Sequence, residues 1–191
     1  AEGRLRLADS LWYTQEMFKP ELMIDLATLT GAIVVSLGHE YAGLFSNNDD
    51  LCASLNKAAD LTGEKIWRLP INEYFESTVE SDIADLKNLT AKNVRAGSIT
   101  AACFLKKFVN GVKWAHIDIA GVEATYRDLH VCGAGATGYG VRLLYEFISS
   151  YVYSPTPAED TGNTADPAAT PDAQATPADA SVDAAAPDNQ R

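Results

Sequence analysis

The chain changes character at residue 154, and that break bounds what can fold. From 154 to 191 there are seven acidic residues against Arg191 alone, six of the eight prolines, no aromatic side chain and Val182 as the only branched aliphatic. Such a stretch cannot bury enough apolar surface to offset its chain entropy, so a disordered, acidic, Pro/Ala-rich tail is expected there. The predicted folding unit is residues 1–153, long enough for one sizeable core. The tail carries −6 of the net charge of −11.

Charge and cysteine usage exclude several functions. A chain this acidic, with basic runs no longer than Lys106-Lys107, argues against nucleic acid as a partner. No apolar run approaches the roughly eighteen residues of a membrane helix, so no membrane partner is expected. Cys52, Cys103 and Cys132 stand far apart with no CxxC pair, which fits neither a disulfide framework nor a structural zinc site. A reducing, cytoplasmic location follows as the expectation. The start at Ala1, directly in a helix-like run, suggests a cut product or fragment.

Hydrophobic periodicity orders the elements. Helical spacing covers 4–18, stopped by Pro20, and a short apolar strand spans 21–28. Residues 31–38 fit helix or strand equally. A strand at 41–46 leads into Asn-Asn-Asp-Asp caps for a helix over 51–60, then a strand at 65–69. An alanine-lined amphipathic helix is predicted over 98–109, a strand over 114–120 and a last helix over 138–152. Short strands alternating with longer helices indicate an α/β fold with a mainly parallel or mixed sheet flanked by helices.

Three groups of residues invite chemistry. His116 and Asp118 share one strand face, but two ligands are too few for a metal, and a satisfied polar pair is the simpler reading. Gly133–Gly138 spells GxGxxG before a helix. It lacks the acid about twenty positions on that a dinucleotide site needs, so a glycine-rich turn of close backbone approach is expected instead. Glu2-Gly3-Arg4 opens the first helix, where an acid by itself is an ordinary dipole partner.

The surrounding sequence changes the weight of that last group. Ala1–Leu5 (AEGRL) resembles the end of the N-T-D-A-E-G-R-L octapeptide of the leucine aminopeptidase (cytosol aminopeptidase) family. Residues 24–32 (IDLATLTGA), 65–70 (KIWRLP), 98–105 (SITAACFL), 114–121 (WAHIDIAG) and 135–138 (GATG) are similar to its later segments, in the same order. The resemblance covers residues 1 to about 152.

The resemblance implies a dinuclear metallo-aminopeptidase that releases N-terminal residues, leucine favoured, from peptide substrates and assembles as a homo-hexamer. It implies two divalent ions, manganese or zinc, with Glu2 as a metal ligand and Arg4 as the catalytic residue holding a bicarbonate. Thr28, Leu29 and Gly31 match the substrate-contacting turn, and Ala136 falls where the family lines its substrate pocket. The octapeptide's aspartate and the other metal-binding residues of the family would lie before Ala1. The chain thus reads as the back part of the catalytic domain, inactive by itself, with a non-catalytic scaffold or assembly subunit as the alternative.

Overall fold

A computed structural model describes residues 1–153. The expected disordered tail at 154–191 lies outside the described residues. Four strands form the main sheet: β1 (Leu22–Ala27), β2 (Ala42–Ser46), β3 (Ile66–Arg68) and β4 (Lys113–Asp118). Their order is β1-β4-β2-β3, with β1 parallel to β4, β2 parallel to β3 and β2 antiparallel to β4. The fold is α/β with a mixed sheet, as the sequence indicated.

Alternation along the strands divides the core into two layers. Ala42, Leu44, Ala115 and Ile117 face α3 (Asp49–Thr62) and α6 (Val141–Tyr153). Met23, Phe45 and Trp114 face α1 (Glu2–Phe18), α2 (Gly31–Leu37) and α5 (Gly97–Lys106). Helix α3 begins where its sequence directs, because the Asn48 side chain accepts from the Leu51 amide at 2.8 Å. Leu51, Cys52, Leu55, Ala58 and Ala59 then recur on its buried face.

Several boundaries depart from expectation for identifiable reasons. The ambiguous 31–38 stretch is a helix, capped by Thr30 and closed by Gly38 at φ 63°. Helix α5 stops at Lys106 rather than Val109. There the Gln15 side chain of α1 donates to the Phe108 carbonyl at 2.7 Å and accepts from the Asn110 amide at 2.8 Å, so the chain is held in a turn. Strand β4 ends at Asp118, not at Ala120. Helix α6 starts at Val141, not at 138, because Gly138 and Gly140 sit at φ 67° and 94°, outside the right-handed helical region. A short helix α4 (Glu73–Ser77) and the two-residue strands β5 (Ala124–Thr125) and β6 (Gly135–Ala136) were not anticipated.

The glycine-rich segment serves as close packing. Gly140 leaves room for the Leu26 side chain of β1, which an added Cβ would overlap. The amides of Gly140 and Leu143 at the start of α6 are taken by the buried Glu64 carboxylate, at 3.1 and 2.8 Å. An internal acid thus stands where a phosphate would need to bind.

Candidate active site

Strands β1 and β4 are parallel and in register from Leu22↔Lys113 to Ala27↔Asp118, so their carboxyl ends lie side by side. The chain leaves β1 through Thr28–Thr30 into α2, and this turn is built on Asp118. One carboxylate oxygen accepts from the Leu29, Thr30 and Ala120 amides at 3.0, 3.4 and 3.3 Å. The other accepts from the Thr30 hydroxyl at 2.6 Å. Thr30 Oγ1 also lies 2.9 Å from Ser98 Oγ on α5 and caps the Ile33 amide. The Asp118 charge is fully buried, yet these donors compensate it.

The first turn of α1 meets the same turn. A Cβ on Gly3 would lie 3.5 Å from the Leu29 side chain. Arg4 is 7 % exposed, and its Nη1 donates to the Asn88 carbonyl at 2.7 Å. Its Nε is buried with no hydrogen-bond partner among the described residues. Burial lowers the guanidinium from its ordinary value, while the Asp118 carboxylate opposes that shift. A buried donor without an acceptor suits a small planar oxyanion, so Arg4 fits a bicarbonate.

Glu2 is exposed beside Arg4 in the same turn. Its carboxyl is held below the usual carboxylate range chiefly by its own backbone amide. It offers one hard oxygen ligand. No group of three or more His, Cys, Asp or Glu suited to a metal ion occurs among the described residues. This chain's residues therefore do not by themselves fit a two-ion centre.

The structure brings Glu2, Arg4, Leu29 and Asp118 into one region at the sheet's carboxyl end. Thr28 and Gly31 are exposed on the turn, whereas Thr30 points inward. Ala136 is exposed on β6, paired with Ala124, and the next residue, Thr137, donates its hydroxyl to the Val122 carbonyl just after β4. Sequence reasoning missed Thr30, Ser98 and the anchoring role of Asp118. An acid near the carboxyl end of a strand, three residues before Gly121, was the available clue. His116 is fully buried, with Nδ1 2.6 Å from Asp25, which also accepts from the Trp114 indole at 2.8 Å.

Known proteins resemble the chain along most of its length. A family model described as "Cytosol aminopeptidase family, catalytic domain" matches residues 1–145. A probable cytosol aminopeptidase of Ehrlichia ruminantium is 57 % identical over 155 residues, which cover 81 % of this chain and 31 % of that protein. One of Caulobacter vibrioides is 57 % identical over 156 residues, 78 % of this chain and 30 % of its own length. The cytosol aminopeptidase of Rickettsia prowazekii is 53 % identical over 152 residues, 79 % of this chain and 30 % of its own. The chain therefore spans about a third of the length of these relatives. Matched over most of its length and closely similar to such relatives, the chain belongs to the cytosol aminopeptidase family.

Proposed function

We propose that this chain is the back part of the catalytic domain of a metal-dependent leucyl aminopeptidase, which hydrolyses N-terminal residues from peptides in the cytoplasm as a homo-hexamer. The observation that carries the reading is Arg4: a buried guanidinium with an unpartnered Nε, next to a turn held open to solvent at Thr28 and Gly31. In this reading Arg4 holds a bicarbonate, which supplies a proton acceptor when bound. Asp118 fixes the Leu29–Thr30 backbone, so that Thr28, Leu29 and Gly31 present a preformed surface to the substrate. Preorganisation of this kind spares the reaction the entropy of ordering a loop.

Glu2 contributes one ligand to the two divalent ions, manganese or zinc. The remaining ligands are assigned to a portion of the protein that precedes the region matched here. Strand β1 lies at the end of the strand order and has one edge without a partner strand among the described residues, where such a portion could join the sheet.

The test is turnover of leucyl-amide by this chain alone and by the chain joined to the preceding two-thirds found in its relatives. The joined protein should release leucine, and a chelator should abolish that release. The chain alone should release none, even in excess manganese or zinc. Turnover by the chain alone would overturn the reading of it as an incomplete site. Inactivity of the joined protein would favour a non-catalytic scaffold or assembly role.

A further inference from the structure

The Arg4 guanidinium is fastened at one nitrogen only. Nη1 donates to the main-chain carbonyl of Asn88 at 2.7 Å. Nε is buried without a partner among the described residues. Nη2 has no partner there either, but it is not closed off from solvent. Nη1 stands on the Cδ side of the planar group. With Nη1 occupied, the parallel pair of N–H directions left over belongs to Nε and Nη2, and such a pair is the fork that takes two oxygens of a planar anion. The bond to Asn88 thus stops the guanidinium from turning about Cδ–Nε and leaves that edge facing one way.

The Asn88 carbonyl is itself delivered by a short closed loop. Lys87 donates its amide to the Val79 carbonyl at 2.7 Å, and Glu80 and Leu86 form an antiparallel bridge just inside. Val79 is fully buried, and Leu86 packs against the core layer that holds Ala8 and Leu11 of α1. At the tip the Ser81 hydroxyl accepts from the Ile83 and Ala84 amides at 3.3 and 3.2 Å. The base of the loop and the helix carrying Arg4 therefore share one packed layer, and Asn88 is the first residue beyond that base. Its side-chain amide also lies 3.5 Å from the Ala1 carbonyl, so Asn88 meets the chain on both sides of Glu2.

We propose that Asn88 is a positioning residue for the aminopeptidase reaction: its main-chain carbonyl sets the Arg4 guanidinium so that the Nε–Nη2 edge is turned to bicarbonate. The inference rests on the reading of Arg4 as the residue that holds bicarbonate. A free arginine side chain samples many rotamers, and fixing it before the anion arrives spares binding that cost.

The experiment uses the chain joined to its preceding portion. Replacing Leu89 by its α-hydroxy analogue turns the Asn88 carbonyl into an ester carbonyl, a weaker acceptor, and changes no side chain. The Leu89 amide lost with it makes no hydrogen bond among the described residues. The same exchange at Thr90 is the control, because the Leu89 carbonyl it weakens accepts nothing among those residues. Bicarbonate binding by calorimetry should weaken roughly five- to ten-fold in the Leu89 ester protein. At fixed bicarbonate, kcat for leucyl-p-nitroanilide should fall by a similar factor while KM stays within about two-fold. Raising bicarbonate should restore the rate, and bound metal should not change. Asn88→Gly keeps the carbonyl but frees its backbone, so it should move the same quantities in the same direction by a smaller factor. Should the ester protein fail to fold, Asn88→Gly decides alone.

Bicarbonate affinity in the Leu89 ester and Asn88→Gly proteins equal to that of the Thr90 control would overturn the proposal. It would do so even if their denaturation midpoints fell, since a contact that is only structural predicts that result. Arg4→Ala separates this inference from the reading beneath it. If Arg4→Ala abolishes bicarbonate binding while the Leu89 ester and Asn88→Gly proteins bind normally, only the positioning role of Asn88 fails. If Arg4→Ala binds bicarbonate and cleaves leucyl-p-nitroanilide like the unsubstituted protein, both fail together.

Discussion

The hydroxyl of Thr30 donates to Oδ2 of Asp118 at 2.6 Å, joining residues 88 positions apart. With the Leu29, Thr30 and Ala120 amides on the other oxygen, one side chain organises the whole turn after β1. Asp118→Ala would leave these buried donors without an acceptor, and each orphaned group costs on the order of 1–3 kcal/mol. The expected loss of stability is about 3 kcal/mol or more by chemical denaturation. Asp118→Asn should cost less, since its carbonyl still faces the amides and Thr30 can reverse its hydroxyl. Equal losses for both substitutions would show that charge, rather than acceptor geometry, holds the turn.

Glu64 plays a comparable part at the other helical layer. Its buried carboxylate accepts from Gly140 and Leu143 at the start of α6, while the Arg142 guanidinium stands off at 3.4 Å and is half exposed. The cap should therefore matter more than the ion pair. Glu64→Ala is expected to cost about 2 kcal/mol and Glu64→Gln about 1, because the amide keeps one acceptor oxygen. Arg142→Gln should stay within about 0.5 kcal/mol. Urea midpoints for the three variants check the order.

Cys103 supplies a pH dependence. It is fully buried on α5, and burial, with a smaller push from Glu76, raises its thiol from an ordinary 9.0 to about 11. Between those values the unfolded chain gives up this proton while the folded chain keeps it. The folded state then binds more protons, so stability falls as pH rises from 9 towards 11 and is fully retained below 9. The loss should be on the order of 2 kcal/mol by pH 11. Denaturation at several pH values, compared with Cys103→Ala, isolates it: the variant's curve should be flatter across that window.

Much of the fold could be read from local pattern. Helix α3 follows from its Asn48 cap and its apolar repeat, and β4 from six residues whose buried positions alternate between the two layers. What escaped depends on long-range partners. Nothing near Val109 announces that Gln15 ends helix α5 from 93 positions away. Strands of two residues, such as β5 and β6, are too short to show a period. Asp118 read as a bland strand acid because all its donors but the Ala120 amide belong to a turn that precedes it by almost ninety residues. The burial of Arg4 is equally invisible in the local pattern, since it comes from the packing around Asn88 and Asp118.

That burial sharpens the expectation for Arg4, tested in the chain joined to its preceding portion. If Arg4 holds the anion that accepts a proton, Arg4→Ala should lower turnover by roughly the 10²–10⁴ of a lost general base. Metal content should be unchanged. Because Nη1 also carries the Asn88 carbonyl at 2.7 Å, some stability should go as well, about 1–3 kcal/mol. Arg4→Lys separates the two effects. An ammonium can reach a carbonyl but cannot match a planar pair of oxygens, so it should recover stability more fully than rate. Glu2→Ala should differ from both: it is exposed, so folding should hold, while bound metal and rate fall together. Elemental analysis, denaturation and turnover on the same preparations distinguish these patterns. Full turnover in Arg4→Ala, with only stability reduced, would leave Arg4 as an anchor for the Asn88 loop and remove it from the chemistry.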